Sequence, residues 1–368
     1  MKINKNKKVI IAMSGGVDSS VSAWILKKQN YEVEGLFMKN WEEDDNAKHC
    51  TSEQDLLDAE NVCKMLNIHL HKMNFSTEFW ENVFQRFLNE YKSGITPNPD
   101  IFCNKEIKFN LFLKYSIQNL QADYIATGHY ARIKKISGQY YLLKGIDLDK
   151  DQTYFLYTLH NYQLKQILFP IGALKKRQVR DIARKLNLTV AEKKDSTGIC
   201  FIGPKNLRNF LNPYISEKKG DIITTNSEIV GQHYGACYYT LGQRKGLGIG
   251  GIKGRYNIPW YVVDKNVKKN ILIVAQGAYN KHLMSTGLIA KNITWINHEQ
   301  FTFPLSCTVK TRYRQNNISC KIDYVNNLYI KVVFDSPVNA VTPGQSVVFY
   351  LSEICIGGGI INSRIPLF

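Results

Sequence analysis

The chain of 368 residues, 44% of them hydrophobic, is too long for one ordinary core and points to two or three domains. No run of about 18 apolar residues occurs, which argues against a membrane-spanning helix, and the basic start MKINKNKKVIIAMSGG reads as a first strand rather than a signal peptide. A formal charge of +17 and a pI near 9.3 argue for a polyanionic partner such as nucleic acid, although Lys far outnumbers Arg and A·T-rich codons produce that drift without any binding.

In chain order, Lys7–Met13 reads as a strand, Asp18–Gln29 as a helix, Glu32–Met38 as a strand, Glu53–Leu66 as a helix and His69–Met73 as a strand. Helices Ser76–Tyr91 and Asn104–Asn119, strand Tyr124–Thr127 and helix Gln178–Leu186 complete this part. Strands separated by helices of this length mean an α/β domain, with a parallel sheet covered on both faces. From about residue 206, GQHYGACYYTLGQRKGLGIGGIKG and the alternating WYVVD and NILIVA imply a small mixed or β-rich central domain. Beyond about residue 281, TVKTRYR, SCKIDYV, YIKVVF and QSVVFYL are separated by turns, the pattern of a compact antiparallel β-barrel. The expected domains are 1–205, 206–280 and 281–368.

The eight cysteines form no CxxC pair and no Cys/His cluster at zinc spacing. That argues against structural zinc, an iron–sulfur site and a secreted disulfide framework, and for a reducing cytoplasm. Cys63, Cys237, Cys307, Cys320 and Cys355 lie in helical, apolar or strand-like stretches and read as small core hydrophobes. Cys50, beside His49 after the acidic WEEDDN, reads as part of a solvated loop rather than a metal site.

Two cysteines remain. TPNPDIFCNKEIKF delivers Cys103 from a proline-held loop to a helix expected from Asn104 onward, with Ile107, Leu111 and Phe112 on one face. A thiol at a helix N-terminus favours the thiolate. Asp100, three residues earlier, can cap that helix or act as general acid or base, and on its own capping is the better reading. KKDSTGICFIG delivers Cys200 in a stretch with Asp195, Ser196, Thr197 and Gly198, residues of a loop. Both surroundings read as built for access.

Between the first strand and helix lies AMSGGVDSS. Gly15 and Gly16 let backbone amides approach an anion, the helix N-terminus adds a favourable dipole, Ser14 and Ser19 offer hydroxyls, and Asp18 is suited to hold Mg2+ against phosphates. No Lys follows the glycines, so this is not the P-loop of kinases and GTPases. SGGxDS after a first strand resembles the pyrophosphate loop of the N-type ATP pyrophosphatases (adenine nucleotide alpha hydrolase-like).

AMSGGVDSS, TPNPDIFCNKEIKF, ATGHYAR, KDQTYFLY, KKDSTGICFIG, TLGQRKGLGIGG, KTRYRQ and CIGGGII, in this order, together resemble the tRNA-specific 2-thiouridylase family from the first strand almost to the end. The resemblance implies ATP, with Mg2+, on Ala12, Met13, Ser14, Gly15, Gly16, Val17, Asp18 and Ser19, with Met38 and Gly128 near the adenine. It implies Asn98, Pro99 and Asp100 around the target base, and Lys150, Asp151, Gln152, Arg312 and Tyr313 at the tRNA. Cys200 would carry a persulfide from a sulfur-relay protein, Cys103 would be the second catalytic thiol, the two would close a transient disulfide, and Asp100 would manage the proton. The substrates implied are tRNAs for Lys, Glu and Gln, thiolated at the wobble uridine by a cytoplasmic monomer.

Argininosuccinate and GMP synthetases use a similar ATP loop for small amines, but leave both cysteine loops and the basic β domain without a purpose. A non-catalytic RNA-binding adaptor leaves SGGVDS without one.

Overall fold

The computed structural model describes residues 4, 6–41, 51–195, 207–250, 258–297 and 301–368. Strand β1 (Lys8–Ala12) is KVIIA, buried at its last four positions, as a central strand covered on both faces must be. It is joined by β2 (Glu32–Lys39), β3 (Leu70–Asn74) and β4 (Tyr124–Ala126). After an antiparallel hairpin of β5 (Ala131–Ile136) and β6 (Gln139–Lys144), the short β7 (Ile167–Leu168) supplies a fifth strand. The order is β3-β2-β1-β4-β7 and every pairing is parallel.

Helix α1 (Val17–Lys28) crosses from β1 to β2 and buries Val17, Val21 and Leu26. Its buried Ser20 and Ser22 donate to carbonyls one turn back at 2.8 and 2.7 Å, so neither hydroxyl is stranded in the core. Helix α2 (Thr51–Leu66) makes the next crossover. These elements end within a few residues of the sequence expectation, which did not include the β5–β6 hairpin or β7.

The helix at the cysteine loop differs from expectation. It begins at Pro99–Phe102, continues as a π-helical stretch over Cys103–Phe112 and returns to α over Leu113–Gln118. Proline suits a first helical turn because its φ is already helical and its missing N–H would go unused there. Asn98 before it stays extended, at φ −118° and ψ 90°, as a residue preceding proline prefers. Cys103 therefore sits a full turn inside a helix, not in front of one.

The central sheet joins β8 (Gly220–Thr224), β9 (Ile229–His233), β10 (Trp260–Asn266) and β11 (Ile271–Gln276) in the order β10-β11-β8-β9, with β11 and β8 parallel and the other pairs antiparallel. The last part is β12 (Met284–Trp295), β13 (Leu305–Lys310), β14 (Ile318–Asn326), β15 (Tyr329–Asn339), β16 (Ser346–Leu351) and β17 (Ile354–Pro366). Ile330, Val332 and Phe334 of β15 point inward while Lys331, Val333 and Asp335 point out, the alternation of a sheet with one wet face. β12 pairs with both β15 and β17, which closes six antiparallel strands into a barrel and removes the exposed edges. The β5–β6 hairpin joins this same sheet, through Ile354↔Leu143 and Cys355↔Leu142.

All three parts meet on Ile95–Pro97. Thr96 N donates to Pro343 O at 3.3 Å, Gln345 Nε2 to Thr96 O at 3.0 Å and Pro97 O at 3.3 Å, and Thr96 Oγ1 lies 3.1 Å from Thr240 Oγ1 of the central part. Gly344, between the two barrel contacts, has φ +90°, and a Cβ there would fall 1.9 Å from Ile95 Cγ2. A Gly344→Ala variant should lose about 1–3 kcal/mol of stability from strain and overlap. The measurement is the midpoint of denaturant unfolding, and an unchanged midpoint would mean that the turn yields freely.

Candidate active site

The chain leaves β1 at Ala12, and Met13 N bonds Leu36 O at 2.9 Å, so the Ser14–Gly16 turn opens at the carboxyl end of the sheet. β1 lies between β2 and β4, where successive connections run in opposite directions, and such a switch point leaves a crevice for ligands. Gly15 has φ +65°, and a Cβ on it would lie 2.2 Å from the Asp55 carbonyl oxygen of α2, so no other residue fits. Gly16 precedes α1 in extended conformation with no side-chain cap on the helix, leaving the first N–H groups directed at whatever anion arrives. Ser14 Oγ and Ser19 Oγ stand 3.2 Å apart. Gly128, after β4, presses on the loop: a Cβ there would meet Ser19 N at 2.8 Å. Met38, at the end of β2, is half-buried.

Around this turn the fold gathers charges that sequence reading did not single out. Lys176, which opens the helix Lys176–Lys185, places Nζ 2.8 Å from both carboxylate oxygens of Asp18 and 2.9 Å from Asp195. Tyr130 donates its hydroxyl to Asp18 at 2.8 Å. Burial, and then the charge of Asp18, push this phenol up, so it stays a donor. Asp195 also receives Lys150 Nζ and Arg180, each at 2.7 Å. Burial alone would raise the Asp195 carboxyl, but the hydrogen bonds and charges of Lys150 and Lys176 outweigh it and hold the group well below the usual carboxylate range. Lys193 Nζ binds the Gly15 carbonyl at 3.0 Å, Asp55 at 2.7 Å and Asp58 at 2.5 Å, tying the glycine turn to α2.

A polyphosphate fits such a setting. Backbone amides and two hydroxyls face it, and the surrounding cations can exchange a carboxylate for a phosphate. Among the described residues no group of three His, Cys, Asp or Glu is placed as metal ligands. Asp18, the carboxylate expected to hold Mg2+, is here engaged by Lys176 and Tyr130.

The second group of candidates lies along the helix that begins at Pro99. Asn98 and Asp100 are half-buried. Cys103 is only 1% exposed, inside a core with Phe84, Phe87, Tyr91, Phe102 and Ile107. The expected accessibility of this thiol is therefore not met in this conformation. Helix formation from Pro99 turns Cys103 into the aromatic layer, where the loop imagined from sequence would have left it outside. Cys200, with Ser196, Thr197 and Gly198, lies outside the described residues, as do His49 and Cys50. The described residues flanking Cys200 are informative. Asp195 is tied to the Lys176 network, and Leu207 and Phe210 pack on the core that contains Cys103.

Of the residues expected at RNA, Lys150 pairs with Asp195, and the Gln152 side chain accepts from Tyr130 N at 2.8 Å. Asp151 is 2% exposed. It accepts from Thr153 Oγ1 at 2.9 Å, Gly145 N at 3.2 Å and Lys310 Nζ at 3.4 Å, which ties its loop to β13. Arg312 is likewise turned inward, donating to Leu241 O at 2.7 Å and to Ala340 O and Thr342 Oγ1 at 2.8 Å. The Tyr313 ring sits 4.4 Å from Phe155. Arg314, in the same KTRYRQ stretch but not singled out by sequence, is exposed, with its guanidinium 5.5 Å from the Tyr313 ring.

Three family models match in the order of the structural parts. They are the tRNA methyl transferase HUP domain over residues 7–204, the tRNA methyl transferase PRC-barrel domain over 208–276 and the aminomethyltransferase beta-barrel domain over 285–361. The tRNA-specific 2-thiouridylase MnmA of Buchnera aphidicola subsp. Acyrthosiphon pisum is 74% identical, with 100% of both chains covered. That of Buchnera aphidicola subsp. Schizaphis graminum is 70% identical over 99% of this chain and 100% of its own. That of Salmonella typhimurium is 60% identical over 98% of each.

Replacing Lys176 by Met should weaken binding of a non-hydrolysable ATP analogue by roughly 10- to 100-fold, the value of one charge-assisted contact of about 1.5–3 kcal/mol. Calorimetric titration reads this directly, and an affinity within twofold of the parent would remove Lys176 from the nucleotide site.

Proposed function

The chain belongs to the tRNA-specific 2-thiouridylase family, and from that membership we propose that it thiolates C2 of the wobble uridine of tRNA by adenylating O2 and transferring sulfur from a persulfide on Cys200. The family descriptions name a methyl transfer, but the full-length relatives at 60–74% identity are thiouridylases. The observation that carries the mechanistic reading is the sharing of Lys176 between Asp18 of the glycine turn and Asp195. From Asp195 to Cys200 is five residues, a span of at most about 17 Å of extended chain. That reach is compatible with a sulfur on Cys200 serving a nucleotide held at the glycine turn.

The chemistry follows from the substrate. C2 of uracil lies between two ring nitrogens, so it is a poor electrophile and its oxygen a poor leaving group. ATP bound on Ala12–Ser19, with Met38 and Gly128 toward the adenine, presents its α-phosphorus to O2 and pyrophosphate departs. O2 then leaves C2 as AMP when the terminal persulfide sulfur attacks. Cys103 attacks the inner sulfur on Cys200, which frees the thiolated base and leaves a Cys103–Cys200 disulfide for later reduction. Disulfide closure needs Cα atoms within about 7 Å, and Cys103 must emerge from its aromatic layer. Asp100, three residues before Cys103 on the same helix, is assigned the proton, and Asn98 and Pro99 line the base.

The uridine must leave the anticodon stack to reach the pocket, at a cost of a few kcal/mol. Exposed Arg314, with Tyr313, Lys150 and Gln152, offers contacts to the RNA, while Asp151 and Arg312 hold those contacts in place. Affinity for tRNA should fall with salt. The tRNAs for Lys, Glu and Gln and a sulfur-relay donor complete the proposal. Pyrophosphate release from ATP that tRNA stimulates supports it. Stimulation by aspartate or ammonia would favour a small-molecule ligase, and no release at all would favour an RNA-binding adaptor.

Cys103→Ser and Cys200→Ser should each abolish 2-thiouridine formation while ATP still binds. Mass spectrometry of wobble nucleosides decides, and thiolation at the parent rate by either variant would end the two-thiol scheme. Asp100→Asn should slow single-turnover thiolation by roughly 10²–10⁴-fold with little change in tRNA affinity. A change confined to affinity would return Asp100 to a structural or binding role.

A further inference from the structure

Cys307 of β13 and Cys320 of β14 are directly opposed residues of one antiparallel ladder, and their Sγ atoms are 3.7 Å apart. Directly opposed residues in such a ladder have Cα atoms about 4.5–5.5 Å apart. That lies within the span of about 4.4–6.8 Å that a disulfide accepts. Both side chains fall on the face of the sheet that lines the barrel, with Cys320 2% exposed in its core and Cys307 half-buried against it. Neither is in a disulfide. The register already faces the two side chains at each other, and the sulfurs have to close from 3.7 Å to about 2.05 Å to join.

We propose that Cys307 and Cys320 are a second redox site of this protein, closing a reversible cross-strand disulfide when a small-molecule disulfide of the glutathione type is in excess. Cys307, the more accessible sulfur, attacks the small disulfide as its thiolate. The small S–S bond breaks, a mixed disulfide forms on Cys307 and one small thiol leaves. Cys320 then gives up its proton and attacks Cys307 Sγ, expelling the second small thiolate, which takes the proton. Two protein thiols lose two electrons, and one small disulfide becomes two thiols.

The order of the two steps follows from the surroundings. The Cys320 thiol reaches toward the Cys307 carbonyl at 3.6 Å. The hydrogen bond to Cys307, and then burial, push its pKa strongly up. Cys307, the less buried of the two, is the sulfur a small disulfide reaches first.

The bond would brace a particular part of the barrel. The connection between β13 and β14 carries Arg312, Tyr313 and Arg314, so Cys307 and Cys320 stand at the base of the hairpin assigned to RNA. That consequence rests on the thiouridylase reading, whereas the bond itself does not.

The test uses the full chain, reduced and then equilibrated with excess glutathione disulfide, alkylated and digested with trypsin. Lys310, Arg312 and Arg314 separate the two cysteines, so the digest parts them unless sulfur joins them. The expected product is a linked pair, one peptide ending at Lys310 and the other running from Gln315 to Lys321, that falls apart on reduction and is lost in Cys307→Ser. Amide exchange over Thr311–Asn317 should slow in the oxidised parent and stay unchanged in treated Cys307→Ser. Recovery of both peptides only as alkylated thiols, or as separate glutathione adducts, would overturn the proposal. The mapping needs neither ATP nor tRNA, so its failure would leave the thiolation reading intact, and a failure of thiolation would leave the cross-link intact.

Discussion

One ammonium group, Lys176 Nζ, lies within 2.9 Å of carboxylates from the first βα turn and from the residue where the Cys200 segment departs. Two carboxylates of like charge do not come together unaided. At an effective dielectric of about 20, charges about 4 Å apart interact by roughly 4 kcal/mol, so the cation between them offsets a repulsion of that order. Lys176 is largely shielded, with 12% of its side chain exposed, and without it Asp195 would keep Lys150 and Arg180 while Asp18 would keep only the Tyr130 hydroxyl among the contacts described above. The wider cluster balances Lys150, Lys176, Arg180 and Lys193 against Asp18, Asp55, Asp58 and Asp195. A nucleotide polyphosphate entering such a balanced group binds by exchange: each cation it gains is one a carboxylate gives up. Nucleotide binding is thereby coupled to the anchoring of Asp195.

A comparable constraint acts at the other half of the site. Ile95–Pro97 is gripped by the barrel turn at Pro343–Gln345 and by Thr240 of the central sheet. The helix that carries Asp100 and Cys103 starts two residues further on. The barrel thus holds, by one backbone hydrogen bond and the Gln345 side chain, the segment that leads into this helix. The mixture of α and π turns along Ser76–Lys92 and Pro99–Gln118 places the irregular backbone in the two segments that enclose Cys103. π turns sacrifice regular helix geometry and concentrate at functional sites.

Much of this was legible in the sequence because it is local. The run KVIIA can only be a buried strand, and the glycine turn after it needs the positive φ that Gly15 adopts. Alternation in YIKVVFD gives the barrel face. Cys63, Cys320 and Cys355 are buried as their apolar neighbours require. What the sequence could not reveal depends on distant partners. Lys176 and Arg180 become part of the site only when the helix after β7 returns to β1, and no quoted stretch contains them; Tyr130 and Lys193 lie in ATGHYAR and KKDSTGICFIG, but nothing local names Asp18, Asp55 or Asp58 as their partners. Arg312 and Asp151 are expected at the tRNA from the resemblance, yet partners in other parts of the chain draw them inward. The burial of Cys103 turned on a local choice, the helix starting at Pro99 rather than Asn104, which proline at a first turn could have signalled.

The hairpin β5–β6 lies early in the chain but pairs with β17, the final strand, which also pairs with β12 and β16. During synthesis this edge waits for its β17 partner until β17 has been made. Barrel closure and attachment to the nucleotide-binding half are then completed together by one late segment. A chain without β17 would leave three partners, β6, β12 and β16, each with an unpaired edge at once.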